Sequence, residues 1–218
     1  MCDKIVTPFG EKICTPCMDR FKIISPPWCM KCGKKLADEA QLCSDCASAS
    51  HMYNRGRSLY EYASAALSIY KFKYGGRREY ADYYGEQIAE YLGDFIRKVK
   101  PDALIPIPLH RKRLNKRGYN QAEELAKAIG KYTGIPMENK LLKRVRNTTA
   151  MKQLSPGERR ANLKNAFIIS GNSVKLRTII IIDDIYTTGT TLDEAARAFH
   201  EAGVGDIYFI TLAGGSSV

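Results

Sequence analysis

Four consecutive isoleucines, Ile179–Ile182, run straight into two aspartates, Asp183 and Asp184, and soon after into the turn Thr187-Thr188-Gly189-Thr190-Thr191. A short β-branched run with no polar face reads as a strand buried on both sides, at the centre of a parallel sheet covered by helices. Thr191–Ala202 then reads as a helix that Gly203 ends. In open sheets of this kind, ligands sit off the carboxyl ends of the strands. Here that position holds adjacent carboxylates, threonine hydroxyls and a helix N-terminus, whose N–H groups and dipole favour an anion. The combination suits a sugar phosphate, with the phosphate in the turn and the ribose hydroxyls and a Mg²⁺ shell facing the carboxylates.

From Ser58 onward, strand-like and helix-like segments alternate. Ser58–Ala63 reads as a strand, and Ser64–Tyr74 as a helix closed by Gly75-Gly76. Glu79–Lys100 has helical spacing, with Tyr84, Ile88, Tyr91, Leu92, Phe95, Ile96 and Val99 apolar, and Pro101 stops it. Ala103–Ile107 is a buried strand, Asn120–Tyr132 an amphipathic helix, and Asn147–Glu158 a long loop. Ala166–Ile169 and Ile207–Leu212 complete the set as strands. The expectation is an α/β domain over residues 51–218, a mostly parallel sheet flanked by helices, preceded by a distinct Cys-rich module over residues 1–50.

All seven cysteines fall in the first 46 residues. The opening MCDKIVTPFG has no apolar signal-peptide core, so a cytoplasmic location and reduced thiols are expected rather than a disulfide framework. Cys29/Cys32 and Cys43/Cys46 are two Cys-X-X-Cys pairs ten residues apart, a spacing that gives four thiolates to one tetrahedral Zn²⁺. Gly33 permits the tight knuckle turn. Cys2, Cys14 and Cys17 supply three ligands for a second zinc, with Asp3, a water or nothing as the fourth. Cys2 as an amidotransferase nucleophile is rejected, because fifty residues crowded with metal-type cysteines cannot build the glutamine pocket.

The net charge of +11 is uneven, since residues 1–50 hold 7 Lys/Arg against 6 Asp/Glu. His110–Arg117 carries five basic residues and no acid, and Lys140–Lys164 carries eight with only Glu158 opposing them. Such segments point to a polyanionic partner, either a nucleic acid or a phosphorylated small molecule. No apolar run approaches the roughly 20 residues of a membrane helix.

Ile179–Thr191 resembles the 5-phosphoribosyl 1-pyrophosphate (PRPP) loop of type I phosphoribosyltransferases. The resemblance implies that Asp183 and Asp184 contact the ribose hydroxyls and organise Mg²⁺, while Thr187, Thr188, Gly189, Thr190 and Thr191 hold the 5′-phosphate. A narrower resemblance is to the ComF family, associated with competence and DNA uptake. It rests on Pro106-Ile107-Pro108-Leu109-His110, Arg113, Arg117-Gly118-Tyr119-Asn120-Gln121, Lys71-Phe72-Lys73-Tyr74-Gly75 and Glu158-Arg159-Arg160-Ala161-Asn162, together with the cysteines. It implies a PRPP site that includes Lys73, His110, Arg113, Arg117 and Asn120, with Lys73, Arg113 and Arg117 clamping pyrophosphate. It also implies a flap around Arg144–Lys152 that closes over the ligand. ComF proteins usually begin with a complete cysteine pair, and the partner of Cys2 would fall just before Met1.

Two positions depart from the wider pattern. Thr187 stands where salvage enzymes that use a loop carboxylate on the acceptor base often have an acid, which weakens a hypoxanthine- or guanine-type acceptor. Met151 stands where the family suggests glutamine.

Two readings therefore stay open. One is an enzyme transferring phosphoribosyl from PRPP to an acceptor with release of pyrophosphate, and the other is a non-catalytic PRPP sensor that handles single-stranded DNA during uptake. Tyr53, Tyr60, Tyr62, Tyr70 and Tyr74 could stack on bases, although such spacing more often marks core. The zinc ribbon could also dock protein partners of DNA uptake.

Overall fold

The computed structural model of the chain describes residues 6, 10–146, 163, 165–170 and 175–215. Its sheet has four parallel strands in the spatial order β1 (Arg55–Glu61), β6 (Asp206–Gly214), β5 (Thr178–Tyr186), β2 (Ala103–Pro106). The isoleucine run occupies the interior strand, as its lack of a polar face requires. Ile179–Ile182 are fully buried and alternate between two apolar clusters, with Ile179 and Ile181 in one and Ile180 and Ile182 in the other.

On the even-numbered face lie α3 (Tyr62–Tyr74), α4 (Tyr80–Tyr91), α5 (Gly93–Val99) and α7 (Gln121–Thr133). The approach of α4 to α7 is close enough that a Cβ on Gly85 would lie 2.5 Å from the Ala128 Cβ. The odd-numbered face is covered by α8 (Thr190–Glu201) through Leu192, Ala195 and Phe199. On the same face lies a two-stranded antiparallel pair, β3 (Leu142–Arg144) with β4 (Phe167–Ile169). The strand expected at Ala166–Ile169 thus exists, but outside the main sheet.

The Cys-rich segment, with α1 (Thr15–Met18) and α2 (Ser44–Ser48), clasps the β1 edge. Ile23 bridges Tyr60, the Ile24 N–H donates to the Leu59 carbonyl at 2.9 Å, and the Gly56 N–H donates to the Lys31 carbonyl at 2.9 Å. An edge strand left open would present unpaired N–H and C=O groups, and these bonds close it. Ile13 and Cys17 join the even-face cluster, whereas Cys29, Cys32, Cys43 and Cys46 join the odd-face cluster, so the segment straddles the sheet.

Three elements differ from expectation for local reasons. The helix predicted over Glu79–Lys100 breaks at Leu92 (φ −109°, ψ 6°), ahead of Gly93, a poor helix former. Strand β1 starts earlier, at Arg55, because its polar residues pair with Tyr208–Ile210 and give no apolar signal. The basic stretch forms α6 (Arg111–Arg117), which buries no residue and so has no periodicity to read. The loop expected at Asn147–Glu158 lies outside the described residues. Among the described residues, no helix is long and apolar enough to cross a membrane.

Candidate functional site

At the carboxyl end of β5, alternation sends Asp183 and Asp184 to opposite faces of the strand. Asp184 is buried on the helical side and uses both carboxylate oxygens. Lys73 Nζ, at the end of α3, lies 2.8 Å from Oδ1, and Gln121 Nε2, at the start of α7, donates to Oδ2 at 2.6 Å. Arg117 Nη1 donates in turn to Gln121 Oε1, and its guanidinium lies 4.9 Å from the Tyr74 ring centre. Sequence reasoning quoted Gln121 within a motif but gave it no role, and Gln121 is the residue that couples Arg117 to Asp184.

Asp183 accepts the Asp184 backbone N–H at 2.8 Å. Burial, and then the Asp184 charge, push its carboxyl up to about 7, against the opposing pull of Lys73 and Arg144. Arg144 is pushed down to about 10, first by burial and then by Arg113, and it stays cationic at neutral pH. Lys73 from α3 and Arg144 from β3 thus act on the carboxylate pair directly, Arg117 from α6 through Gln121, and Arg113 from α6 lies near Arg144. Arg113 and Arg117 are four apart and half-buried, while Arg111, Lys112 and Lys116 on the same helix are exposed. Arg144, the first residue of the expected flap, belongs to the site, and Asn147–Lys152 lie outside the described residues.

The turn after β5 is held by Gly189, left-handed at φ +78° and the N-cap of α8. The N-cap is a glycine, so the N-cap residue itself offers no side-chain acceptor to the first N–H groups of the helix. Thr188 and Thr190 share a hydroxyl contact of 2.9 Å, Thr190 is buried, and Thr187 is exposed at the mouth. This is the geometry of an anion cradle at a helix N-terminus.

Two predicted site residues have structural tasks as well. His110 caps α6, its Nδ1 accepting the Lys112 N–H at 3.3 Å, which leaves Nε2 as the ring's donor. Asn120 caps α7 through Oδ1, which accepts from the Ala122 N–H at 3.2 Å, and its Nδ2 donates to the Ile107 carbonyl at 3.0 Å. It thereby fastens the end of β2 to the start of α7.

A second centre lies in the Cys-rich segment. The Sγ atoms of Cys29, Cys32, Cys43 and Cys46 are buried and all lie within 4.8 Å of one another. Cys32 and Cys43 stand 3.7 Å apart, close to the roughly 3.8 Å edge of a tetrahedron with Zn–S bonds near 2.3 Å. Against its burial, backbone donors at Cys32, Cys43 and Lys31 pull the Cys29 thiol down, whereas the contact with Cys46 and burial push Cys32 up, and burial pushes Cys43 up. The donor set fits Zn²⁺. Cys14 is half-buried and Cys17 buried at the start of α1, and Cys2 lies outside the described residues.

Comparison with known proteins matches two family models to the chain. Residues 84–217 match the phosphoribosyl transferase domain, and residues 1–47 match the double zinc ribbon domain. Competence protein F of Haemophilus influenzae is 32% identical over 205 residues, spanning 89% of this chain and 87% of that protein. Competence protein ComFC of Bacillus subtilis is also 32% identical, over 88% of this chain and 80% of that protein. DNA utilization protein YhgH of Escherichia coli K12 is 27% identical, over 85% of this chain and 82% of its own length. Among solved structures, glutamine PRPP amidotransferase from B. subtilis aligns over 66% of this chain and 30% of that chain, at 18% identity and a TM-score of 0.43.

Proposed function

This chain belongs to the ComF family of phosphoribosyl transferase domain proteins, and on that premise we propose that it binds PRPP with Mg²⁺ and transfers phosphoribosyl to an acceptor. The setting is the handling of DNA for which the competence and DNA-utilization relatives are named. The observation that carries the reading is the junction of the Asp183–Asp184 pair with the Gly189 turn, with Lys73 and Arg144 acting on the pair directly and Arg117 through Gln121.

In this reading the turn residues Thr187–Thr191 hold the 5′-phosphate, and the two aspartates take the ribose hydroxyls. An acceptor lone pair forms a bond to ribose C1 while the C1–O bond to pyrophosphate breaks, and pyrophosphate leaves with the electron pair. Lys73, Arg113 and Arg117 stabilise the charge that builds on that leaving group, and His110 and Asn120 border the same loop. Mg²⁺, when bound, supplies charge neutralisation at the diphosphate oxygens. Thr187 offers no acceptor-side carboxylate, which favours an amine or other acceptor that needs no such group. The test is release of pyrophosphate from PRPP against a panel of amines, bases and water. Release with one member supports transfer, and none across the panel removes it.

The second reading, binding of single-stranded DNA without turnover, is favoured by one surface feature. Tyr70 and Tyr74 are more than half exposed on α3, their ring centres 5.2 Å apart, and Arg117 lies over Tyr74 beside the carboxylate site. Tyr53 and Tyr60 are buried and cannot take part. Oligonucleotide affinity that falls steeply with salt supports this reading, and salt-insensitive binding counts against it. A second zinc on Cys2, Cys14 and Cys17 completes the proposal, supported by the double zinc ribbon match over residues 1–47. Zinc content of two per chain, falling to one in Cys14→Ser, is its check.

A further inference from the structure

The Gly189 turn rests on three aromatic rings. A Cβ on Gly189 would lie 2.9 Å from Tyr186 Oη, 3.0 Å from Tyr53 Oη and 3.2 Å from His51 Cε1. The two tyrosine hydroxyls are hydrogen-bonded at 2.8 Å, and His51 stacks on Tyr53 with ring centres 4.8 Å apart. His51 Nδ1 lies 2.9 Å from Asp193 Oδ2, and the Met52 N–H donates to Asp193 Oδ1 at 2.9 Å, tying this floor to the first turn of α8.

The other side of the floor is the four-cysteine knuckle. Lys34, buried two residues past Cys32, places Nζ 5.5 Å from the Tyr186 ring centre and 2.6 Å from Asp45, which lies between Cys43 and Cys46. Lys31, between Cys29 and Cys32, places its Nζ 5.4 Å from the Tyr53 ring centre. Tyr53, Tyr186 and the four cysteines share one apolar cluster. The Cys29/Cys32 half of the knuckle therefore reaches the tyrosines under the turn through Lys31 and Lys34, and the Lys34–Asp45 pair ties the Cys43/Cys46 half to it.

We infer that the zinc ribbon is a strut of the ligand site: the metal-filled knuckle holds Lys31 and Lys34 against Tyr53 and Tyr186, and these fix the height of Gly189 and so the grip on phosphate. The inference rests on the phosphate-turn reading above. Lys34, Lys31, Tyr53, Tyr186 and His51 act through Gly189 and are positioning residues. A turn that lost this floor would have to be ordered by the ligand, at a cost in affinity.

The test compares the full-length zinc-loaded wild type with Lys34→Met, which keeps the stem and all four cysteines, and with Tyr186→Phe, which removes one hydroxyl outside the metal shell. The first readout is amide hydrogen exchange, which needs no ligand. Exchange over residues 187–191 rises about tenfold in both variants, while α7 amides keep the wild-type rate. Unchanged exchange over 187–191 in Tyr186→Phe overturns the strut, even if Lys34→Met fails to fold or to hold zinc. The second readout uses ribose 5-phosphate and pyrophosphate as separate probes. Affinity for the first falls about tenfold in the variants and affinity for the second does not. A wild type that binds neither probe removes the PRPP reading, while the exchange result still decides the strut.

Discussion

Lys73 Nζ and Asp184 Oδ1 face each other at 2.8 Å across the carboxyl edge of the sheet, one from the last turn of α3 and one from β5. With Gln121 on the other oxygen, Asp184 is a carboxylate held in one orientation before any ligand arrives. Held groups of this kind lower the ordering cost of binding.

Replacing Lys73 with Met leaves a mostly buried carboxylate without its cation. The loss is expected to be about 2–3 kcal/mol, below the range for fully buried pairs because Lys73 is partly solvated. Urea unfolding reads this as a lower midpoint at unchanged slope. PRPP affinity should fall at least about tenfold in the same variant.

The Asp183 carboxyl, raised from 3.8 to about 7, sets a pH dependence. A raised carboxyl favours the protonated fold, so the contribution is full below about pH 4 and is lost as pH rises through about 7. Asp183→Asn should therefore melt a few degrees higher than wild type at pH 8 and little differently at pH 4. If Asp183 receives Mg²⁺–PRPP as proposed, it does so ionised, and affinity should fall about tenfold per unit below pH 7, with a proton released on binding. Titration in two buffers of different ionisation enthalpy measures that proton.

Gly85→Ala drives a methyl group toward the Ala128 Cβ, 2.5 Å away, and must part α4 from α7. Overpacking of this kind costs about 1–3 kcal/mol. Denaturant melts should show the loss, while zinc content stays that of the wild type.

Chelating the knuckle metal removes the centre that orders four thiols in the odd-face cluster and the segment that covers β1. The melting temperature should drop by about 5 °C or more, and re-added zinc should restore it. Cys43→Ser should give the same drop without rescue.

If single-stranded DNA uses the α3 surface, Tyr70→Ala and Tyr74→Ala should each weaken oligothymidine binding by about 1–3 kcal/mol. Their stability should be near wild type, because both rings are exposed. Fluorescence anisotropy at fixed salt makes the comparison.

The sheet centre, the adjacent carboxylates, the turn at Gly189 and the four-cysteine cluster were legible because each is a contiguous motif. What escaped was made by contacts distant in sequence. Gln121 reaches Asp184 across 63 positions, and Tyr53 reaches Tyr186 across 133. Arg144 sits in a strand of three residues, too short for a pattern. The stacking tyrosines divided according to burial, with Tyr53 inside and Tyr74 outside, a distinction that spacing alone does not carry. The Cys-rich segment reads as a module from its composition, and its hydrogen bonds to β1 and its share of both clusters, which composition does not carry, join that module to the sheet.

The most direct test of the central claim is calorimetric titration of PRPP with Mg²⁺ into the zinc-loaded protein, beside an Asp183→Asn, Asp184→Asn double variant. The site described here predicts saturable binding by the wild type and none by the variant. Equal binding by both proteins, or by neither, would contradict it.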